Sequence, residues 1–333
     1  MSGVLFVALF VLALTLPVPY VILSPGPTYN TLGADPRGDT IIVIKGKQPN
    51  QTTGNLNMTT VNVSTNPLSV FEAVYGWLAH DKVVVPKSSV FPPGQSQQQV
   101  DQQNTRDFAV SQDSAIAAAS CELGYPAKFG VVSVVGATAQ DKLQPADILD
   151  TLDGKPIDSE VKLRALLATE KPGTKVSIVV TRAGKPDTES LALGPAPQGR
   201  TGASVGIVPG SVCAPPFTVD LGLGNQIGGP SAGLMFALGI MDKVGSVDLT
   251  KGRFIAGTGT IDPDGKVGPI GGIQLKMIAA RHAGATVFLT PSGNCSDVRG
   301  ATPKGLQIIK VDALHDAVQD LLALEAGKTV PTC

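Results

Sequence analysis

At 333 residues the chain is long enough for two or three domains, each with its own core. A formal net charge of −1, a charged fraction of 16% and the lack of any lysine- or arginine-rich cluster exclude a nucleic-acid surface, because phosphate binding needs a concentrated basic field. Neither a metal nor a cofactor is expected, since none of the four cysteines is spaced as a metal ligand.

Val4 to Leu23 reads VLFVALFVLALTLPVPYVIL, and no charged residue occurs before Asp35. A run of about 20 apolar residues crosses a hydrocarbon core of about 30 Å as a helix. Residues 1–24 are therefore expected to be a transmembrane anchor. A signal peptide would show a shorter apolar region and an Ala-x-Ala site. The anchor would make membrane lipid a partner and leave the protein single-pass in the cell membrane, with its bulk extracytoplasmic. No Lys or Arg precedes the run to set its orientation. Outside the cytoplasm Cys121, Cys213, Cys295 and Cys333 can form one or two disulfides, and two bridges allow three pairings. The alternative is that they stay as thiols.

Residues 25–118 read as a stalk followed by strands and helices. SPGPTYNTLG cannot continue a helix. TIIVI and LNMTTVNVS, within residues 40–64, alternate as strands and are expected to complete the sheet of the last domain, making the unit between them an insertion. In LSVFEAVYGWLAH, residues 68–80, helical spacing puts Val70, Phe71, Val74, Trp77 and Leu78 on one side, and Trp77 is read as core. PPGQSQQQVDQQN, residues 92–104, is read as a glutamine-rich linker, and the helix AVSQDSAIAAASCELG leads out of it.

Residues 119–196 form the next unit, with strand FGVVSVV, helix SEVKLRALLAT, turn EKPGTK and strands VSIVVTR and ESLALG. From 197 to 327 strands and helices alternate as in an α/β domain, and residues 328–333 are a tail. In this last domain IGGPSAGLMFALGIMDKV puts a serine between a Gly-Pro turn and an apolar helix read over 230–244, whose Leu234, Met235, Leu238 and Met241 form a core face. Ser231 could satisfy a backbone N–H in the first helical turn. GPSAG also fits G-x-S-x-G, but a nucleophile elbow needs a strand before it and a histidine after it. The segment before it is loop-like, and the histidines are only His80, His282 and His315. Ser159-Glu-Val-Lys162 fits S-x-x-K, yet Asp158 or Ser159 explains itself there as a helix cap, and no K-T-G follows. The remaining partner is Lys276, in the first turn of the helix after PIGG. There the helix dipole and dry surroundings oppose its ammonium charge, and a neutral lysine is a general base for a serine hydroxyl.

Two stretches carry family resemblances. LQPADILDTLDG, with its Asp-Gly turn and the later Pro-Gly turn, resembles the L-x-x-G-D-x-I-x-x-x-D-G of bacterial PDZ domains, with Ala146 in place of the usual glycine. The resemblance implies docking of a protein or peptide end on an open sheet edge. GGPSAGLMFALGI followed by GTGTIDPDGKVGPIGGIQLKMIAARHAGATVFLTPSGN is similar to the proteolytic domain of Lon proteases. That resemblance implies Ser231 as nucleophile, Lys276 as base and Thr258 as the residue that positions the lysine, with Gly229, Pro230, Ala232 and Gly272 in supporting turns. Where ATP-dependent Lon enzymes carry an aspartate ahead of the turn, this chain has Gly228 and Gly229.

The whole order resembles the PDZ-containing, membrane-anchored Lon-like proteases of Gram-positive bacteria. The fold class expected is a multidomain α+β and α/β chain, with an N-terminal transmembrane helix, a PDZ-like β-rich domain and a Lon-type proteolytic α/β domain. No G-x-x-x-x-G-K-[ST] phosphate loop occurs, so an ATP-independent serine endopeptidase acting on proteins or peptides is implied. Lon-type domains commonly assemble as homo-oligomeric rings. The alternative from another class is a catalytically silent Lon-like and PDZ scaffold that binds cell-envelope proteins.

Overall fold

Backbone pairing between distant segments sets the architecture. In the computed structural model, which describes residues 16–140, 142–223 and 227–333, Thr59 donates its hydroxyl to the carbonyl of Gly257, 198 positions away. The N-terminal part supplies β1 (Pro17–Val18), β2 (Tyr20–Asn30), β3 (Ile42–Lys45), β4 (Asn55–Val63), β5 (Leu68–Ser69), helix α1 (Val70–Leu78), β6 (Val83–Pro86), the single turn α2 (Lys87–Val90) and the long helix α3 (Gln97–Glu122).

A second sheet follows, made of β7 (Ala127–Val134), β8 (Ile148–Leu152), β9 (Lys155–Pro156), β10 (Lys175–Arg182), β11 (Lys185–Ala192) and, after the short pair β12 (Gly194–Pro195) and β13 (Ala203–Ser204), β14 (Ile207–Cys213). Helix α4 (Glu160–Leu167) packs on it through Leu163 and Leu167. The chain then returns through β15 (Thr218–Leu221), α5 (Gly233–Val244), β16 (Phe254–Gly257), β17 (Thr260–Ile261), β18 (Val267–Gly268), α6 (Ile273–Ala283), β19 (Val287–Pro291), α7 (Cys295–Val298), β20 (Gln307–Val311) and α8 (Leu314–Glu325).

The main sheet has the order β20-β19-β16-β4-β2-β6. β20, β19, β16 and β4 are parallel, while β2 runs antiparallel to β4 and β6. Residues 55–63 thus lie in the middle of the sheet that the last third of the chain builds. One face carries α3, α5 and α8, where Leu56, Met58, Ile255 and Leu289 meet Phe108, Leu238 and Leu321. The other carries α6, where Ala256 and Phe288 meet Ile273 and Met277. α5 is buried on every side, which is why its sequence from Gly233 to Met241 is apolar all round instead of along one stripe; only Asp242 and Lys243 in its last turn are charged.

The sheet of β7 to β14 has the order β11-β10-β8-β7-β14, so the expected 119–196 boundary needs correction at both ends. Residues 119–122 belong to α3, and β14 lies beyond 196 but pairs with β7 over its whole length. Ala146 adopts φ 68°, the left-handed backbone that explains a glycine at this position. The neighbouring Asp147 is buried and accepts two hydrogen bonds from the Arg182 guanidinium, at 2.8 and 2.7 Å.

Three other expectations are corrected. The predicted span through Leu23 does not stay helical, because residues 17–18 and 20–30, including the supposed stalk SPGPTYN, are strands. Pro17 and Pro19 lack the N–H that a helix interior needs, and Val21 and Ile22 suit a pleated strand. Residues 1–15 of that span lie outside the described residues, among which no helix is long and apolar enough to cross a membrane. The glutamine-rich linker is instead the start of α3. Ser96 and Gln99 form a capping box there, and glutamine is a good helix former. Trp77 is not core but 65% exposed, because α1 turns Ala73 and Gly76 inward instead.

All four cysteines are paired, Cys121 with Cys213 and Cys295 with Cys333. The first bridge ties the end of α3 to β14. The second holds the C-terminal tail, whose Pro331 carbonyl also accepts the N–H of Lys310 at 3.0 Å. Peptide mapping without reduction is expected to recover these two linked pairs and no other. The double variant Cys121→Ser, Cys213→Ser should lose about 2–4 kcal/mol of stability. At Ala146, replacement by glycine should add about 0.5–1 kcal/mol by relieving the left-handed backbone. Unchanged denaturant midpoints would contradict both effects.

Candidate functional site

The chain crosses itself at the ends of β4 and β16. After Gly257 the backbone leaves the sheet through Thr258 and Gly259, and this short crossover meets the turn that precedes α5. Gly259 N–H donates to the Ser231 carbonyl at 2.9 Å, and the Thr258 hydroxyl donates to the same oxygen at 3.0 Å. From the opposite side α3 holds the turn. The Gly229 N–H donates to the Asn104 carbonyl at 2.8 Å, and the Ser111 hydroxyl donates to the Pro230 carbonyl at 2.8 Å.

Each glycine of the turn has a local reason. Gly229 has φ 85°, which a side chain disfavours. At Gly228 a Cβ would lie 2.7 Å from the Cβ of Asn104, so α3 leaves no room there for a side chain. The helix itself starts later than its predicted 230. Ala232 is its N-cap and Gly233 its first residue, so Ser231 lies in the turn ahead of the helix. Its amide N–H and those of Ala232 and Gly233 have no hydrogen-bond acceptor among the described residues.

Lys276 arrives from the other face of the sheet. Gly272, at φ 69°, is the N-cap of α6, and the Lys276 N–H closes the first turn on its carbonyl at 3.1 Å. The side chain runs back to place Nζ 2.7 Å from Ser231 Oγ and 3.0 Å from Thr258 Oγ1. Lys276 is 4% exposed and Thr258 fully buried. Burial alone pushes the ammonium down from its ordinary 10.5 to about 8, because a charged amine loses its hydration there. The start of α6 acts in the same direction, since its dipole points positive charge at the turn.

A cleft of about 400 Å³ opens onto this pair, lined among others by Tyr29, Met58, Phe108, Ile227, Ser231 and Lys276. The pairing of β16 with β4 ends at Gly257 and Met58, so Thr59 to Asn62, still paired with β2 on one side, leave the side that faced β16 open as one wall. Composition and local pattern gave no hint of Ser111, Asn104 or Phe108. They come from α3, whose second half reads as a helix in AVSQDSAIAAASCELG, while only the S-x-x-Q capping box at Ser96 marks its start in the sequence. The competing S-x-x-K is structural. Ser159 caps α4 by accepting the Lys162 N–H, and the Lys162 ammonium pairs with Asp158. His315 is occupied on the surface by Glu122. Among the described residues no group of three His, Cys, Asp or Glu side chains could hold a metal ion.

Comparison with known proteins bears on this region. Lon protease 1 of Myxococcus xanthus is 34% identical over 100 residues, covering 29% of this chain and 12% of that protein. Lon protease 2 of Bacillus subtilis is 32% identical over 99 residues, or 30% and 17% of the two chains. The match thus spans less than a fifth of those relatives. A solved PDZ domain of an SdrC-like protein from Listeria monocytogenes is 23% identical, with a TM-score of 0.23, over 25% of this chain and 86% of that one. The family model for the Lon protease (S16) C-terminal proteolytic domain matches residues 226–324, the stretch that contributes Ser231, Thr258 and Lys276.

Proposed function

We propose that the protein is a membrane-anchored, extracytoplasmic, ATP-independent serine endopeptidase that uses Ser231 as nucleophile and Lys276 as general base. The observation that carries the reading is the 2.7 Å approach of Lys276 Nζ to Ser231 Oγ in a buried setting. With its pKa near 8, about a tenth of the lysine is neutral at pH 7, against about 0.04% for an ordinary lysine. Neutral Nζ accepts the Ser231 proton as Oγ attacks the scissile carbonyl, and the ammonium so formed returns the proton to the leaving amine. Water then repeats the cycle on the acyl-enzyme.

Thr258 fixes the geometry of both partners. Its hydroxyl hydrogen is committed to the Ser231 carbonyl, so its oxygen faces Lys276 as an acceptor. The amide N–H groups of Ser231, Ala232 and Gly233, without an acceptor among the described residues, serve as donors for the oxyanion. An extended peptide fits beside Thr59 to Asn62 on the side of β4 where β16 has ended, opposite its pairing with β2.

The other parts of the reading have separate support. Pairing of all four cysteines suits an oxidising compartment, and the uncharged apolar run at the N-terminus suits an anchor. The sheet of β7 to β14 supports a PDZ-like docking role. Its β14 edge and α4 flank a groove of about 350 Å³ that includes Leu163, Leu167, Val205 and Ile207, a geometry suited to strand addition.

Cleavage of an unfolded protein such as casein tests the dyad. Ser231→Ala should abolish it, and Lys276→Ala should lower kcat by at least about 10²–10⁴. Thr258→Val should lower kcat with KM unchanged. For the native chain kcat/KM should rise with pH through an apparent pKa near 8 and then level. Equal rates in native, Ser231→Ala and Lys276→Ala proteins would sink the reading, and no cleavage by any of them would turn it toward a scaffold.

Stability gives an independent check on Lys276. Because its folded pKa lies below 10.5, the unfolded chain binds more protons between about pH 8 and 10.5, and stability from this group rises with pH across that window. Below pH 8 the full cost, roughly 3 kcal/mol, is present. Lys276→Met should therefore gain most in denaturation midpoint over the native chain at pH 6–7, with the gain shrinking above pH 8. A difference independent of pH would contradict a depressed lysine.

A further inference from the structure

Helix α1 is inverted relative to an ordinary surface helix. It buries its two smallest residues, Ala73 and Gly76, and exposes Phe71 by 54%, Val74 by 45%, Tyr75 by 58%, Trp77 by 65% and Leu78 by 75%. The inversion is built in. A Cβ at Gly76 would lie 2.8 Å from Val84 Cγ2 and 3.1 Å from Ile22 Cδ1, so the helix presses its backbone onto β2 and β6. Its capping box at Ser69 and Glu72 is complete. The helix is thus firmly seated; Trp77 meets the Tyr20 ring edge-on at 6.3 Å between centroids, yet among the described residues most of this apolar surface stays open to water, which penalises it.

Two observations identify what covers it. The first is where the apolar run of residues 1–15 joins the folded structure. Leu16, 48% exposed, leads into β1, and β1 pairs with β5 through Pro17 with Ser69 and Val18 with Leu68. Ser69 is also the N-cap of α1. The described chain therefore begins beside the strand pair that leads directly into the exposed helix. The second is chemistry. Phe, Tyr, Trp and Leu on one short helix are the residues that settle at the boundary of headgroup and acyl chain, where the rings have an apolar body and a polar edge. Lys82 Nζ lies 4.7 Å from the Tyr75 ring centroid, placing a cation at the rim of the face, where lysines reach for lipid phosphate.

We infer that the exposed face of α1 lies in the interfacial layer of a lipid bilayer, as a second membrane contact beside the N-terminal run. This orients the folded part on the membrane through the β2–β6 edge of the main sheet. It rests on the anchor of the proposed function only for the proximity of the bilayer, and not on proteolytic activity.

Trp77 is the only tryptophan in the chain, so fluorescence reports α1 alone. The full chain would be reconstituted with vesicles of phosphatidylcholine and phosphatidylglycerol, with and without bromine on the acyl chains near the headgroup. The expected result is a shift of Trp77 emission to shorter wavelength, quenching by the brominated lipid and shielding from aqueous iodide. Phe71→Ser with Leu78→Ser should still float with the vesicles and cleave casein at the native rate, while losing the quenching. Vesicle-bound native chain whose Trp77 stays open to iodide would overturn the inference and leave the anchor standing. Shielding from iodide without bromine quenching, growing with protein concentration, would overturn it in favour of a second copy of the chain. Failure to associate with vesicles at all would overturn both this contact and the anchor.

Discussion

The site depends on keeping one lysine amine dry. An ammonium excluded from water is costly unless hydrogen-bond acceptors replace its hydration, and around Lys276 Nζ these are the oxygens of Ser231 and Thr258. Neither is a carboxylate, so nothing near the amine restores its ordinary basicity, and the burial is expressed as a depressed pKa. The surrounding fold carries that cost. α5 is buried all round behind the serine, the sheet lies beneath the crossover, and α6 starts at a left-handed glycine that aims its first turn inward.

The same constraint explains the role of a backbone carbonyl. Ser231 sits in a turn, where a side chain is less firmly placed than on a helix. Two donors from the crossover hold its carbonyl, and one of them is the hydroxyl that also faces the lysine. Position of the serine backbone and position of the base are thereby coupled through Thr258. Ser111 and the Asn104 carbonyl hold the turn from the other side, so its geometry is fixed from both flanks before any substrate enters.

How much of this the sequence discloses depends on the range of the interaction. GPSAG and PIGGIQLK are each local, and their shared chemistry, a hydroxyl needing a base and a lysine needing a dry helix start, links them without a structure. The alternation of strand and helix after residue 201 is equally local. The pairing of β4 with β16 is suggested by the unpartnered strand pattern at 55–63, but its parallel register is a tertiary fact. What periodicity misses is which way a stripe faces. The apolar side of α1 is plain in the sequence, yet Gly76 decides that the small side is buried, through its approach to Ile22 and Val84. The start of α3 was obscured differently, because its glutamines make no apolar stripe, and long polar helices owe their place to capping and to a few inward residues such as Val100 and Phe108.

α3 also joins the two sheets mechanically. Its 26 residues reach about 39 Å, and different turns of the one helix serve different parts of the molecule. Asn104, Phe108 and Ser111 brace the turn and cleft at Ser231. Further along, Ala115 and Ala118 pack into the main core, and at the end Cys121 is bonded to Cys213 on β14. β14 is the edge strand that borders the α4 groove. A peptide held along that edge would therefore be tied, through one disulfide and one continuous helix, to the element that positions the serine. A helix of this length bends little, so the separation between the two sites is set by its turns instead of by a loose linker. The stretch from Asn104 to Cys121, one continuous helix, is what connects the Ser231 turn to the β14 edge.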